Sequence, residues 1–176
     1  LLKRKMERLK YKVMVLDHDD TAVKSTPDIH YPQWCQTLDR FRPGEEKMTL
    51  EQFMLYNCEI GFFRLIDEVM HFSKEEQRQQ DIMWREYTSS HVARFYDGMD
   101  DILRDFRSLG GKIFVCTHNA AKNVLKDYEA HFGGEFYPDF VFDVDNCRGR
   151  LKPHPYALLE AERMTGVKKS EILMVD

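Results

Sequence analysis

The sequence contains no hydrophobic run long enough to cross a membrane. Its apolar stretches are interrupted well before the ~20 residues that a membrane-spanning helix needs. The basic residues at the N-terminus are not followed by the apolar segment that defines a secretory signal. We therefore expect no membrane partner.

The sequence also has few cysteines and no excess of basic charge. The four cysteines are far apart and form no Cys-x-x-Cys pair, so we interpret them as thiols in a reducing cytosol and expect a cytoplasmic protein. The 26 lysines and arginines are outnumbered by 30 acidic residues, which gives a net charge of −4 with both signs mixed along the chain. Because a general nucleic-acid-binding protein needs a basic stripe, we expect no nucleic-acid partner.

Short, uninterrupted apolar runs are the main pattern in the 176-residue sequence. They lie at residues 12–16, 112–116, 140–142 and 172–175. Continuous rather than alternating hydrophobicity predicts strands that are buried on both faces, as in a parallel sheet.

Helical patterns separate these runs from about residue 98 onward. The clearest has apolar residues at helical spacing and ends at a pair of glycines; the apolar residues are Val124, Leu125, Tyr128 and Phe132. Alternating strands and helices predict an α/β fold built on a doubly wound parallel sheet.

A long insertion separates the first two predicted strands. A strand–helix–strand unit takes roughly 30 residues, so about 70 residues are extra here, at 25–94. This stretch is rich in aromatic residues, which we interpret as its own core. It carries two helix-start signals, Thr49 with Gln52 and Ser73 with Glu76. The insertion is therefore predicted to be all-helical.

The predicted domain organisation follows from this insertion. We expect an α/β core domain over residues 1–24 and 95–176, and a helical domain over residues 25–94. Because the last apolar run ends at Asp176, we expect the core domain to be incomplete at its C-terminal end.

An acidic cluster follows the first predicted strand, at the kind of position where open α/β sheets bind ligands. It contains Asp17, Asp19 and Asp20 and is followed by Thr21. Closely spaced acids repel one another unless a cation neutralises them. Carboxylate oxygens suit a hard divalent ion such as Mg²⁺. The alternative interpretation is an ordinary acidic turn.

Three further polar sites follow the later strands or begin helices. The segment Thr117-His118-Asn119 offers a hydroxyl and helix-start amides, which form either an anion site or a simple helix cap. Lys152, in a proline-flanked loop, is either a cation facing a ligand or a solvated lysine. Asp176, at the end of the last apolar run, is a candidate metal ligand.

In this order, the four sites resemble the motifs of the haloacid dehalogenase-like superfamily of phosphohydrolases. Residues 17–21 are similar to its Asp-x-Asp-x-Thr/Val motif, Thr117 to its second motif and residues 152–155 to its Lys-Pro-x-Pro motif. Asp176 is similar to the first acid of its fourth motif. Residues 25–94 resemble the helical cap of the phosphoglycolate phosphatase and β-phosphoglucomutase-like branch, which has a Rossmann-like core.

The resemblance implies a Mg²⁺-dependent phosphatase that acts on a small phosphorylated metabolite. In that chemistry Asp17 is the nucleophile that forms an aspartyl-phosphate, and Asp19 is the general acid and base. A dehalogenase needs no such second acid, so Asp19 favours phosphoryl transfer. The residues implied to bind phosphate are Thr117, His118, Asn119 and Lys152. The residues implied to hold Mg²⁺ are Asp17, Asp19 through its carbonyl, and Asp176.

One residue departs from the family pattern. His18 lies between the two acids, where these phosphatases more often carry an apolar residue. Alternative functions are a phosphomutase of the same superfamily, or a non-catalytic phospho-ligand-binding or receiver-like protein. A receiver domain has no place for the 25–94 insertion. We expect a monomer or a weak homodimer.

Overall fold

The computed structural model describes residues 9–176, so the first eight residues of the predicted core domain lie outside the described part. In chain order the strands and α-helices are β1 (Val13–Leu16), α1 (Tyr31–Phe41), α2 (Leu50–Glu59), α3 (Phe62–Arg64), α4 (Lys74–Ser90), α5 (Met99–Ser108), β2 (Lys112–Cys116), α6 (Ala121–Phe132), β3 (Phe140–Phe142), α7 (Tyr156–Thr165) and β4 (Ile172–Val175). Short π-helical segments at Thr26–His30 and Leu65–Val69 and a 3-10 turn at Lys169–Glu171 lie between them. No helix within residues 9–176 is both long and apolar enough to cross a membrane.

The chain divides into two compact units. One consists of the described residues up to Lys24 together with Arg94–Asp176, and the other of Ser25–Ala93.

A four-stranded parallel sheet forms the centre of the first unit. The strand order is β3-β2-β1-β4, so β1 is interior and has β2 and β4 as its neighbours. Val13 of β1 is opposite Lys112 in β2 and Ile172 in β4. These parallel pairings confirm the predicted α/β fold class, and they align the carboxyl ends of the strands at one edge of the sheet.

The sheet is stable at this position because its central strands are buried on both sides. All four residues of β1 are buried, and so are the last four of β2. On one face, Val13 and Val15 pack with Ala157 and Ala161 of α7. Because alanine side chains are small, α7 packs closely against the strands. This packing fixes the position of α7, and of the loop that precedes it, relative to the sheet.

Two capping boxes begin helices in the second unit. The Thr49 hydroxyl accepts a hydrogen bond from the Gln52 amide at 3.2 Å, and the Gln52 side chain accepts one from the Thr49 amide at 2.8 Å. Ser73 and Glu76 make the same reciprocal bonds at 3.2 and 2.8 Å at the start of α4. Both predicted helix starts are therefore confirmed.

The aromatic residues of the second unit form its own hydrophobic core. Trp34 is only 1% exposed and lies between the rings of Phe53 and Phe72, with centroid distances of 5.7 and 5.8 Å. Leu38, Leu65 and Ile66 complete the buried cluster. The sequence-based interpretation of the aromatic residues as core is confirmed for Trp34, Phe53 and Phe72, but it is wrong for Phe63, which is 82% exposed.

Candidate functional site

Asp17 and Asp176 follow neighbouring strands of the sheet. Asp17 comes directly after β1 and Asp176 directly after β4. The Asp17 amide donates a hydrogen bond to the Val175 carbonyl at 2.8 Å, which continues the β1–β4 ladder by one step. The two acids are therefore placed side by side at the carboxyl edge of the sheet, where ligands bind in open α/β folds.

Lys152 joins these two acids. Its ammonium nitrogen lies 2.7 Å from Asp17 Oδ1 and 3.0 Å from Asp176 Oδ2. Burial acts to lower the pKa of Lys152, but the hydrogen bonds to the two carboxylates outweigh it and raise the pKa above its usual value. The lysine is therefore a fixed positive charge, reaching in from the loop before α7.

The second carboxylate oxygen of Asp17 has its own donor. The Thr21 hydroxyl donates to Asp17 Oδ2 at 3.0 Å from the turn that follows β1. Asp17 is 7% exposed, so two fixed partners orient a nearly buried carboxylate. The sequence reasoning assigned Thr21 no contact with Asp17.

Asp19 faces the loop that follows β2. Its Oδ2 accepts hydrogen bonds from the Thr117 hydroxyl and from the Asn119 side-chain amide, each at 3.3 Å. The Thr117 hydroxyl in turn accepts from the Asn119 main-chain amide at 2.9 Å. The structure thus brings Asp19 together with two of the residues predicted to bind phosphate.

His118 is placed differently from its neighbours. Its ring is exposed, and Nε2 lies 3.1 Å from the carbonyl oxygen of Lys152, which is a hydrogen-bond acceptor. The His118 side chain therefore links the β2–α6 loop to the Lys152 loop. The polar cluster itself is formed by Asp17, Asp19, Thr117, Asn119, Lys152 and Asp176.

Asp143 is a supporting residue that the sequence analysis did not single out. It is 4% exposed, and its Oδ2 accepts a hydrogen bond from the Ala121 amide at the start of α6, at 2.8 Å. Its Oδ1 accepts from the amides of Asp145 and Asn146 at 3.2 and 2.9 Å. An acid directly after the strand run 140–142 is the sequence signal that could have identified this cap.

The sequence analysis also missed a contact between two buried polar side chains. His18, between the two acids, is fully buried, and its Nε2 lies 3.0 Å from Oδ2 of Asp127 on α6. The only sequence signal was His18 itself, a polar residue where the family pattern more often has an apolar one; the helical pattern did not mark Asp127.

The donor set at the sheet edge suits a hard divalent cation. Among residues 9–176, no group of three or more His, Cys, Asp or Glu side chains could hold a metal ion. Mg²⁺ does not require one, because it keeps several waters and binds through one or two carboxylates plus a substrate phosphate. The contacts of Lys152 show that one cation reaches both Asp17 and Asp176. The residues present therefore fit Mg²⁺.

The arrangement combines two oriented carboxylates and a positive charge at one edge of the sheet. The Asp17 carboxylate contacts Lys152 and Thr21, and the Asp19 carboxylate accepts a hydrogen bond from Thr117. Lys152 contacts two acids, Asp17 and Asp176, so this part of the cluster has more carboxylates than cationic groups. An arrangement of this kind can hold a divalent cation and, with it, a phosphate group.

Comparisons with known proteins agree with this geometry. A family model described as haloacid dehalogenase-like hydrolase matches residues 11–176. Pyrophosphatase PpaX from Bacillus cereus (strain AH820) is 23% identical over 175 residues, which covers 95% of this chain and 74% of the relative.

Two solved structures show a similar fold. A predicted phosphoglycolate phosphatase from Haemophilus somnus 129PT superposes with a TM-score of 0.75 at 17% identity, covering 95% of this chain and 77% of that one. A haloacid dehalogenase family hydrolase from Deinococcus radiodurans R1, with bound phosphate and sodium, gives a TM-score of 0.71 at 16% identity, covering 94% and 72%. At these identities the likeness shows the fold.

Proposed function

Because this chain belongs to the haloacid dehalogenase-like hydrolases, we propose that it hydrolyses a small phosphorylated metabolite through an aspartyl-phosphate on Asp17, with Mg²⁺ as cofactor. The observation that carries this proposal is the Lys152 ammonium between the carboxylates of Asp17 and Asp176. That arrangement puts positive charge at the point where an anionic substrate must meet an anionic nucleophile.

The comparisons support the phosphatase class. The family match confirms the prediction of an enzyme, a hydrolase of this family. The relatives include a pyrophosphatase and a predicted phosphoglycolate phosphatase, and one related structure contains phosphate. These names support a phosphorylated substrate, and among such compounds we propose a phosphate monoester for this chain.

Asp17 is proposed as the nucleophile because its orientation is fixed before substrate binds. One carboxylate oxygen contacts Lys152 and the other accepts from Thr21. A carboxylate held in this way attacks phosphorus in line with the leaving oxygen, forming the O–P bond of an acyl phosphate as the bond to the leaving oxygen breaks. Lys152 offsets the repulsion between the two anions and stabilises charge on the transferring phosphoryl oxygens.

Asp19 is proposed as the general acid and base. Thr117 and Asn119 hold its carboxylate at the other side of the site. In the first step the protonated carboxyl gives its proton to the leaving alkoxide. In the second step the carboxylate takes a proton from water, which attacks phosphorus and releases inorganic phosphate and free Asp17.

Mg²⁺ is proposed to bind the carboxylates of Asp17 and Asp176 and the carbonyl oxygen of Asp19. When bound, the ion neutralises the acidic cluster and screens the negative charge of the phosphate ester. Thr117 and the helix-start amides that follow it are proposed to bind the phosphate, together with Asn119 and Lys152. The side chain of His118 contacts the carbonyl oxygen of Lys152, so we propose that His118 contributes to phosphate binding through its main-chain amide.

The helical unit is proposed to act as a cap domain, as predicted for residues 25–94. Its separate aromatic core makes it a compact unit in its own right. Caps of this type select the substrate by the residues that they present. The metabolite itself is to be identified by screening a panel of phosphorylated compounds.

The test is release of inorganic phosphate from p-nitrophenyl phosphate and from the metabolite panel, with and without Mg²⁺. We expect turnover that requires Mg²⁺ and that Asp17→Asn lowers by at least about 10³-fold. The matched control is Asp20→Asn, the same substitution at an exposed turn position with a φ of 58°, which asparagine tolerates. Asp20→Asn should retain activity.

Three results would point elsewhere. Substantial activity in Asp17→Asn would contradict the assignment of Asp17 as the nucleophile. Transfer of phosphate within the substrate without its release indicates the phosphomutase alternative. Stable phosphorylation without turnover indicates a receiver-like or binding protein.

A further inference from the structure

His18 is a fully buried polar residue between the two proposed catalytic acids. Its ring is 0% exposed, and Nε2 lies 3.0 Å from Oδ2 of Asp127, which is 4% exposed. A carboxylate only accepts hydrogen bonds unless it is protonated, so we assign the ring nitrogen as the donor. The other ring nitrogen, Nδ1, has no hydrogen-bond partner among the described residues.

Aromatic side chains surround this ring on the side of α6. Tyr128 stacks on it, with centroids 6.1 Å apart and an interplanar angle of 23°. Phe95 approaches it edge-on at 6.5 Å. The ring is therefore buried against two aromatic side chains, and a hydrogen bond in a buried environment is stronger than one in water.

The main chain of His18 is the centre of the turn that carries the proposed catalytic acids. Its carbonyl oxygen accepts hydrogen bonds from the amides of Ala22 and Val23 at 3.0 and 3.1 Å. The same residue thus fixes the turn through its backbone and fastens that turn to α6 through its ring.

Helix α6 is also directly connected to the other half of the site. It begins directly after the loop that contains Thr117 and Asn119, and both of these residues contact Asp19. A link between His18 and Asp127 therefore connects the segment with the acids to the helix that fixes the phosphate loop. The apolar residue more usual at position 18 has no hydrogen-bond donor with which to make this link.

We propose that His18 and Asp127 are a positioning pair, which holds Asp17 and Asp19 in the orientation that phosphoryl transfer requires. The inference rests on the proposed function of the site. The pair acts on the alignment of the acids, not on the substrate, and so it is expected to affect kcat more than KM. Misalignment by about 1 Å costs on the order of 10²-fold in rate.

The test compares four variants and one control variant of the full chain at saturating Mg²⁺ with p-nitrophenyl phosphate. His18→Leu should lower both Tm and kcat, the latter by about 10–100-fold, with KM changed by less than about twofold. His18→Gln, whose amide nitrogen can take the position of Nε2, should retain most of kcat. Asp127→Asn keeps an acceptor oxygen and should give an intermediate kcat.

The decisive variant is His18→Leu combined with Asp127→Leu. Replacing both partners by apolar groups can be nearly neutral for stability, so Tm should recover. A pair that only stabilised the fold would regain activity at the same time. A positioning pair would not, and we expect kcat to stay about tenfold or more below the wild-type value.

His131→Gln is the matched control. His131 lies on the same helix and packs against the same Phe95 ring at 4.7 Å, but it contacts Asp100 rather than the acid-bearing turn. Its kcat should equal that of the wild type. Wild-type kcat in His18→Leu, or recovered kcat in the double variant, would overturn the proposal while Asp17→Asn remains inactive. Activity in Asp17→Asn would instead overturn the proposed function.

Discussion

Lys152 and Asp17 form an ion pair with an N–O distance of 2.7 Å at the carboxyl edge of the sheet. The side chain of Asp17 is 10% exposed and that of Lys152 is 18% exposed, so both partners are largely shielded from water. Their contact brings the proposed nucleophile and the proposed phosphate-binding cation to one point, although they come from opposite ends of the chain.

The first prediction concerns this cation. Lys152→Met should lower kcat by about 10²–10³-fold, because it removes a fixed positive charge from the transferring phosphoryl group. Lys152→Arg should recover only part of the activity, since a planar guanidinium does not reproduce a point charge. Lys169→Met is the control, because its side chain is 72% exposed. Full activity in Lys152→Met would mean that the lysine is only a structural partner of the acids.

The second prediction concerns the role of Asp19. Asp19→Asn should reduce hydrolysis of alkyl phosphates far more than hydrolysis of p-nitrophenyl phosphate, because nitrophenolate leaves without protonation. The difference between the two losses should be about 10²–10⁴-fold, which is the contribution of a general acid. The measurement is kcat/KM for both substrates in wild type and variant. Equal losses would exclude the acid role.

The third prediction concerns Asp176 and the metal. Asp176→Asn should raise the Mg²⁺ concentration required for half-maximal activity by about tenfold or more, since losses of 10–100-fold follow even from removing a partner of a metal ligand. Saturating Mg²⁺ should restore much of the turnover. Titration of activity with Mg²⁺ gives the answer, and an unchanged midpoint would remove Asp176 from the ligand set.

The fourth prediction concerns stability of the helical unit. Hydrogen bonds from Arg42 and from Ser73 lower the pKa of Glu76 from 4.5 to about 2. A lowered folded-state pKa stabilises the fold above the unfolded-state pKa, and this contribution is lost as the pH falls from about 4.5 towards 2. Glu76→Gln should therefore be less stable than wild type at pH 7.

The same argument fixes how this difference changes with pH. The gap in free energy of unfolding between wild type and Glu76→Gln should shrink steadily below about pH 4.5, because Glu76 becomes protonated and uncharged like glutamine. Urea denaturation followed by tryptophan fluorescence, which reports on Trp34 and Trp84 of the helical unit, measures the gap at each pH. A gap that does not depend on pH would contradict the lowered pKa of Glu76 in the folded protein.

Local patterns predicted most of the fold. Continuous apolar runs marked the strands, since a strand buried on both faces admits few polar residues. The structure differs only slightly at β1, which begins at Val13 rather than at residue 12. Reciprocal side-chain and backbone bonds in the two capping boxes involve residues three apart, so the sequence displays both partners together.

The same patterns gave the residues of the polar cluster but not its full set of contacts. Leu125 was assigned to the apolar side of α6, yet it is 38% exposed, whereas Asp127 on that helix is 4% exposed. The helix is rotated so that an acid faces the core, because His18 offers it a hydrogen bond across 109 residues of chain. Sequence periodicity contains no information on such a long-range partner.

The central claim is that Asp17 carries the phosphoryl group. Borohydride reduces an acyl phosphate, so quenching the enzyme with it during turnover converts a phosphorylated aspartate to homoserine. Asp19→Asn should slow hydrolysis of the intermediate and increase its yield. Peptide mass spectrometry of the trapped protein should then show homoserine at position 17 and unmodified aspartate at position 20. Homoserine at another acid, or none at position 17 while Asp19→Asn still releases phosphate, would contradict the account.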